Sequence, residues 1–202
     1  MTRLEELINE VASAREKFIK TVIGLTPAET QFKPNKDSWS IAENAEHLVW
    51  AEKIGINGMW KALDGIKSDK PIWKGEPVHR GLSIEEVVEK TWEEKEQAPE
   101  IAKPKWGGPI DFWLSALRNN QNQLVDLGKA LYGFDLENII YPHPISGPLD
   151  VFQRMEFLRF HLDRHKFQVE RILERILSYQ KFGMVEVFKT NVQQHERAEQ
   201  IE

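Results

Sequence analysis

The chain has 202 residues, of which 41% are hydrophobic and 29% are charged, and its formal net charge is −5. This composition is typical of a globular domain, and the acidic balance argues against a nucleic-acid partner, whose binding needs clustered lysine and arginine. The absence of cysteine excludes disulfides, thiolate zinc sites and a cysteine nucleophile. Because no signal peptide or membrane span is recognisable, we expect a cytoplasmic protein with no membrane partner.

Apolar residues with helical spacing predict four long amphipathic helices. We expect them at residues 2–22, 40–65 and 110–132, and from residue 149 onwards. Ser40 and Glu43 form the capping-box pattern at the start of the second helix. Strand signals are almost missing, so the pattern indicates an all-α protein with a four-helix bundle.

The connections between these helices are uneven in length. A short turn is expected at residues 28–31 and a loop at 134–148. The long insertion between the second and third helices, residues 66–108, contains an acidic helix predicted from Ser83 to about Gln97. A connection of this length between bundle helices often shapes a binding site.

The C-terminal part of the chain has a different character from the bundle. Phe182–Phe188 is expected to form a short strand or an extended arm, and the polar residues 193–202 a loose tail. We therefore assign residues 1–181 to the helical domain and residues 182–202 to a partly disordered extension.

Two histidines, His161 and His165, stand four residues apart in the fourth helix. Residues at this spacing lie on one face of a helix, about 5–6 Å apart at Cβ, so both rings can reach one metal ion. His47 is the only histidine on the second helix and lies near its buried side. Three such imidazoles would leave open positions for water or substrate, which is the arrangement of a catalytic metal site. The alternative is a set of hydrogen-bonded histidines without metal.

Other titratable residues give weaker signals. His79 and His143 in loops, and His195 in the tail, are expected to be solvated rather than ligating. Glu52, one turn beyond His47, could act as a general base or orient a ligand, although pairing with an arginine or lysine at the bundle edge is the favoured interpretation. Asp163 and Gln168 could also orient the rings, but the position of Asp163 favours solvent.

Several segments together resemble the signature of the DinB-like superfamily, over roughly residues 28–175. The motifs that carry the resemblance are residues 32–34 and 38–43 with His47-Leu48, and residues 143–149 with His161, His165 and Gln168. The resemblance implies a four-helix bundle that holds one divalent metal ion through His47, His161 and His165. The long insertion and the extra tail depart from this pattern.

The resemblance also implies an activity, because the family includes transferases and isomerases that use bacillithiol, mycothiol or glutathione. We therefore expect the metal ion to activate a water or an external low-molecular-weight thiol for hydrolysis or S-transfer on a small-molecule substrate. Zinc or nickel are the first candidates, followed by iron, manganese and copper. The alternatives are a bundle stapled by its metal without catalysis, or a sensor of a small ligand.

A homodimer is expected because family members often dimerise. Three tryptophans in the insertion, Trp73, Trp92 and Trp106, could supply the interface. The alternative is that these side chains pack the insertion onto its own bundle.

Overall fold

The computed structural model describes residues 1–93 and 97–198, and for residues 182–198 it describes the helix without the side chains. The described part contains six α-helices: α1 (Arg3–Val22), α2 (Pro27–Gln31), α3 (Ile41–Lys67), α4 (Ile84–Thr91), α5 (Ile110–Ala130) and α6 (Val151–Ala198). A short 3-10 helix spans Glu100–Ala102. One antiparallel hairpin is formed by β1 (Ile140–His143) and β2 (Gly147–Asp150).

The four long helices form the predicted all-α bundle. α1 and α3 each pack against both α5 and α6, so α1 and α3 lie across the bundle from one another. The core between them is apolar, with Val11, Leu48, Leu117 and Leu162 fully buried, one from each helix. Burial of these helical stripes is the main source of stability for helices of this length.

The capping box at the start of α3 forms as predicted. The Glu43 backbone N–H donates to Ser40 Oγ at 3.2 Å, and the Ser40 backbone N–H donates to Glu43 Oε2 at 2.7 Å. This reciprocal pair satisfies backbone donors that a helix start otherwise leaves free. It fixes the start of α3, the helix that carries His47.

The hairpin replaces part of the loop that was predicted for residues 134–148. The hairpin contains three prolines, Pro142, Pro144 and Pro148. Proline lacks a backbone N–H and is typical of turns, so the sequence pattern predicted a loop here rather than two strands. Tyr141 of β1 packs directly on α3 at Gly58, where a Cβ atom would lie 1.9 Å from Tyr141 Cε1. A side chain at position 58 would therefore force the Tyr141 ring away from α3.

The insertion packs onto its own bundle at α4. This helix starts after Ser83 as predicted but ends at Thr91, before the predicted Gln97, because Trp92 adopts an extended backbone. The Trp92 ring lies 5.8 Å from Phe157 and 6.4 Å from Phe160 between centroids, and its Nε1 donates to Ser146 Oγ. Trp92 and Trp73 are half-buried, whereas Trp106 is 78% exposed. The predicted homodimer stays a prediction.

The last helix is longer than the sequence pattern indicated. α6 continues without a break through Phe182–Phe188 to Ala198, so the expected strand or extended arm is wrong. No proline follows Pro148, so nothing in the chain forces the helix to end early. The last residues of the predicted tail, 199–202, lie outside the described part. No described helix has both the length and the apolar character that a membrane span requires.

Candidate metal centre

The three histidines singled out in the sequence meet in the bundle. His47 of α3 and His161 and His165 of α6 are buried, with 3%, 8% and 5% of their surface exposed. His161 Nε2 lies 3.2 Å from His47 Nε2 and 3.1 Å from His165 Nε2. One ring nitrogen of each histidine lies within 4.8 Å of those of the other two.

The protons of two of these rings are fixed by hydrogen bonds on their far side. His47 Nδ1 lies 2.8 Å from the carbonyl oxygen of Ala102, and His165 Nδ1 lies 2.8 Å from Asn44 Oδ1. Because each oxygen can only accept, each Nδ1 carries the proton and donates it. The Nε2 atoms of His47 and His165 therefore carry lone pairs that face His161.

Burial lowers the pKa of each of the three histidines. The pKa values of His161 and His165 lie well below the usual value for histidine, because neighbouring positive groups oppose protonation in addition to burial. The three imidazoles are therefore neutral near pH 7, which is the form that binds metal ions.

The geometry of the histidine cluster fits a divalent ion. Zinc bonds imidazole nitrogen at about 2.0–2.1 Å, so two such nitrogens at tetrahedral or octahedral angles lie about 2.8–3.4 Å apart. The two measured Nε2 separations, 3.1 and 3.2 Å, fall in that range. His161 Nε2 carries at most one proton, so in at least one of the two contacts no proton lies between the electron-rich nitrogens, which repel each other. A cation at the shared point removes that repulsion, and the three histidines could hold a metal ion there.

Two aromatic side chains hold the rings in place. Trp39, just before α3, lies with its ring centroid 4.8 Å from that of His47 and stacks on His165 at 6.2 Å. Phe157, one turn before His161 on α6, stacks on the His161 ring at 5.7 Å. These contacts restrict rotation of the imidazole rings.

A cavity of about 940 Å³ opens onto the three histidines. Its wall includes residues of α3 and α6 together with Pro99, Ile101 and Lys103 from the insertion. The insertion also supplies the Ala102 carbonyl that orients His47. The segment between α3 and α5 therefore contributes both to the cavity and to the ligand geometry.

Glu52 lies in the core and is not part of the cavity wall. Its carboxylate accepts hydrogen bonds from Arg15 Nε and Nη2 at 3.3 and 3.0 Å, and from Asn120 Nδ2 at 3.0 Å. Pairing with an arginine, the favoured interpretation from the sequence, is thus the arrangement found, although the pair is buried rather than at the bundle edge. The Asn120 contact comes from α5 and the Arg15 contact from α1.

Among the hydrogen bonds of the described residues, none joins Asp163 or Gln168, the other two candidate orienting groups, to one of the three histidine rings. Asp163 is 3.6 Å from the Arg159 guanidinium in an exposed ion pair, in line with its expected solvent position. Gln168 lies on the cavity wall. The orienting groups near the rings are instead Asn44 and the Ala102 carbonyl. Asn44 stands three residues before His47 on the same helical face and was readable from spacing, whereas a backbone carbonyl leaves no trace in the sequence.

His79 and His143 are not solvated as predicted, because the hairpin and the insertion cover them. His79 Nε2 donates to the Ser146 carbonyl oxygen at 2.7 Å. His143 Nδ1 accepts from the backbone N–H groups of Ile145 and Ser146 at 3.3 and 3.1 Å. Burial, with the nearby Arg154 charge, lowers the pKa of His143 to about 3, so its ring is neutral at neutral pH. The side chain of His195 lies outside the described part.

Replacing Asn44 by Ala is expected to weaken metal binding by about ten- to a hundredfold, because the His165 ring loses the acceptor that fixes its tautomer. Competition with a chelator of known affinity measures this change. Asn44→Asp retains an acceptor and is expected to restore most of the affinity. Equal affinities for all three proteins would show that Asn44 does not orient a ligand.

The comparisons with known proteins agree with this architecture. The family model of the DinB superfamily matches residues 10–169, which include all three histidines. The chain is also 28% identical over 163 residues to YuaE of Bacillus subtilis (strain 168), an uncharacterized protein; the match covers 76% of this chain and 88% of YuaE. The family match spans most of the chain and the helices that carry the histidine cluster, and the chain belongs to the DinB superfamily.

Proposed function

We propose that the protein is a metal-dependent enzyme that activates a water or a low-molecular-weight thiol for hydrolysis or S-transfer. The observation that carries the proposal is the convergence of three buried, neutral imidazoles at the wall of a 940 Å³ cavity. His47, His161 and His165 would hold the ion, with zinc or nickel as first candidates and iron, manganese and copper as further ones. A divalent ion in such a site supplies Lewis acidity, which lowers the pKa of water or thiol.

The chain itself contributes the orientation of the imidazole rings and the space for a ligand. Asn44 and the Ala102 carbonyl keep the Nδ1 protons on the far side of the rings, which leaves the Nε2 lone pairs for the ion. Trp39 and Phe157 cover the ring faces. The cavity has the size of a small-molecule site, so substrate and thiol can both lie against the same point.

The number of protein ligands favours a catalytic metal ion over one that only stabilises the bundle. Structural zinc sites are closed by four protein ligands, whereas catalytic sites keep a position for water or substrate. Within the described residues, the group able to hold an ion consists of three histidines. A site of this kind leaves room for an exogenous ligand.

Cobalt substitution tests this proposal. The cobalt-loaded protein is titrated with cysteine, glutathione and 2-mercaptoethanol while the visible spectrum is followed. We expect a saturable spectral change with at least one thiol, and thiol consumption when an alkylating electrophile is added. Ethylene glycol, the hydroxyl analogue of 2-mercaptoethanol, serves as the matched control and should leave the spectrum unchanged.

A spectrum that no thiol alters, and that azide also leaves unchanged, would show a closed coordination shell. That result would contradict the enzyme and support a structural staple. A spectral response to ligands without turnover of any electrophile would instead favour a sensor.

A further inference from the structure

A buried cationic side chain, Arg154, lies on the face of α6 that carries the histidines. Arg154 is only 3% exposed and lines the same cavity. Its Nε and Nη1 atoms are buried, and neither has a hydrogen-bond partner in the part of the chain that the structure describes. Guanidinium groups are buried at this level almost only when they are paired.

The surroundings of Arg154 hold the guanidinium without neutralising it. The rings of Tyr141 and Phe157 lie 5.2 and 5.8 Å from its Cζ atom, as in cation–π contacts. Gly55 of α3 gives it room, since a Cβ atom there would lie 3.2 Å from Nη2. Burial lowers the pKa of Arg154 to about 10, which leaves the group charged at neutral pH.

Arg15 shows what a structural buried arginine looks like in the same bundle. It is 1% exposed, and its Nε and Nη2 atoms both donate to the Glu52 carboxylate. Arg154 has no comparable carboxylate in the described part. Within the described part of the chain, Arg154 is thus left without a countercharge, as expected of a group that binds an anionic ligand.

The charge of the cavity wall also favours an anionic ligand. The described wall carries five cationic side chains, Lys103, Arg154, Arg164, Arg171 and Arg175, against one carboxylate, Asp37. The protein as a whole has a net charge of −5, so the charge of this cavity wall is opposite in sign to that of the whole chain. A basic cleft of this kind concentrates anions.

We propose that Arg154 is a binding residue for the anionic group, a carboxylate or a phosphate, of a ligand that reaches from the cavity floor toward the histidine cluster. Arg154 precedes His161 by seven residues, or about 10 Å along the helix axis, and the Phe157 ring lies between the two side chains, so a ligand that contacts both must be several atoms long. The contact between the other end of this ligand and a metal ion rests on the proposed function. The anion contact itself stands on Arg154 alone.

Binding of succinate and of inorganic phosphate to the full-length protein tests the inference. Calorimetry and thermal unfolding are run at constant ionic strength, on the purified protein and again after removal of metal by a chelator. We expect saturable binding of at least one anion in both forms, and no binding of neutral succinamide. The tighter of the two anions identifies the ligand as a carboxylate or a phosphate.

The variants Arg154→Met and Arg154→Gln are expected to lose at least about tenfold in affinity, the size of a charge-assisted contact. Arg171→Met, which removes an exposed cation from the same wall, should lose far less. Without anion, Arg154→Met is expected to unfold at a higher urea concentration than the natural protein, because an unpaired buried charge is removed.

Absence of anion binding to the natural protein, or undiminished affinity in both Arg154 variants, would overturn the inference. Because the chelated protein is measured as well, this failure is distinct from a failure of metal binding. Anion binding that disappears with the metal would also count against Arg154, since it would place the anion on the ion itself.

Discussion

Replacing His161 by Ala is expected to abolish stoichiometric metal binding. His161 Nε2 lies between the Nε2 atoms of His47 and His165, at 3.2 and 3.1 Å, so it occupies the centre of the cluster. Loss of a group that only orients a ligand costs about ten- to a hundredfold in affinity, and loss of a ligand should cost more. Chelator competition with zinc and nickel, and the metal content of the purified variant, measure the effect.

His79→Gln is the matched control for this change. His79 is a half-buried histidine that donates to the Ser146 carbonyl oxygen and is not part of the cluster. Its replacement should leave metal affinity within a few-fold of the natural protein. The metal should also raise the melting temperature of the natural protein and of His79→Gln but not of His161→Ala. Unchanged metal content in His161→Ala would refute the three-histidine site.

Replacing Arg15 by Met is expected to lower the free energy of unfolding by about 3–5 kcal/mol, the usual cost of breaking a buried ion pair from one side. Burial raises the pKa of the Glu52 carboxyl, and the Arg15 guanidinium opposes that rise. Without Arg15, the carboxylate is left in the core with Asn120 and without a countercharge. Urea unfolding followed by circular dichroism measures the loss.

The double variant Arg15→Met, Glu52→Gln should recover most of this stability, since neither charge then remains buried. Lys129→Ala, which breaks an exposed ion pair with Asp126 at 2.9 Å, serves as the control and should change stability by less than about 1 kcal/mol. Metal affinity should stay the same in Glu52→Gln. A Glu52→Gln protein with full stability and lowered metal affinity would instead show that Glu52 supports the metal site rather than the core.

The helices and the histidine pair were predictable because they rest on local periodicity. Apolar spacing and the Ser40–Glu43 cap located α3, and the four-residue spacing located His161 and His165 on one face of α6. His47 followed because a bundle brings facing helices together. These inferences need only the geometry of a helix and the rule that apolar stripes face one another.

Other features depend on contacts between distant segments and were missed. The hairpin is stabilised by Tyr141 packing on Gly58. This contact could not be predicted because the prolines around Tyr141 indicated a loop. The acceptor for His47 is the carbonyl of Ala102, and any residue can supply a carbonyl. Arg154 did leave a signal, because it is a charged residue within the buried stripe of α6, and that signal was not recognised.

Metal titration of the natural protein, combined with X-ray absorption at the edge of the bound metal, tests the central claim most directly. The account predicts one ion per chain, bound through three imidazoles contributed by α3 and α6, with at least one further ligand that an added thiol replaces. No saturable binding of zinc, nickel, iron, manganese or copper, or a bound ion whose spectrum shows no imidazole, would contradict it.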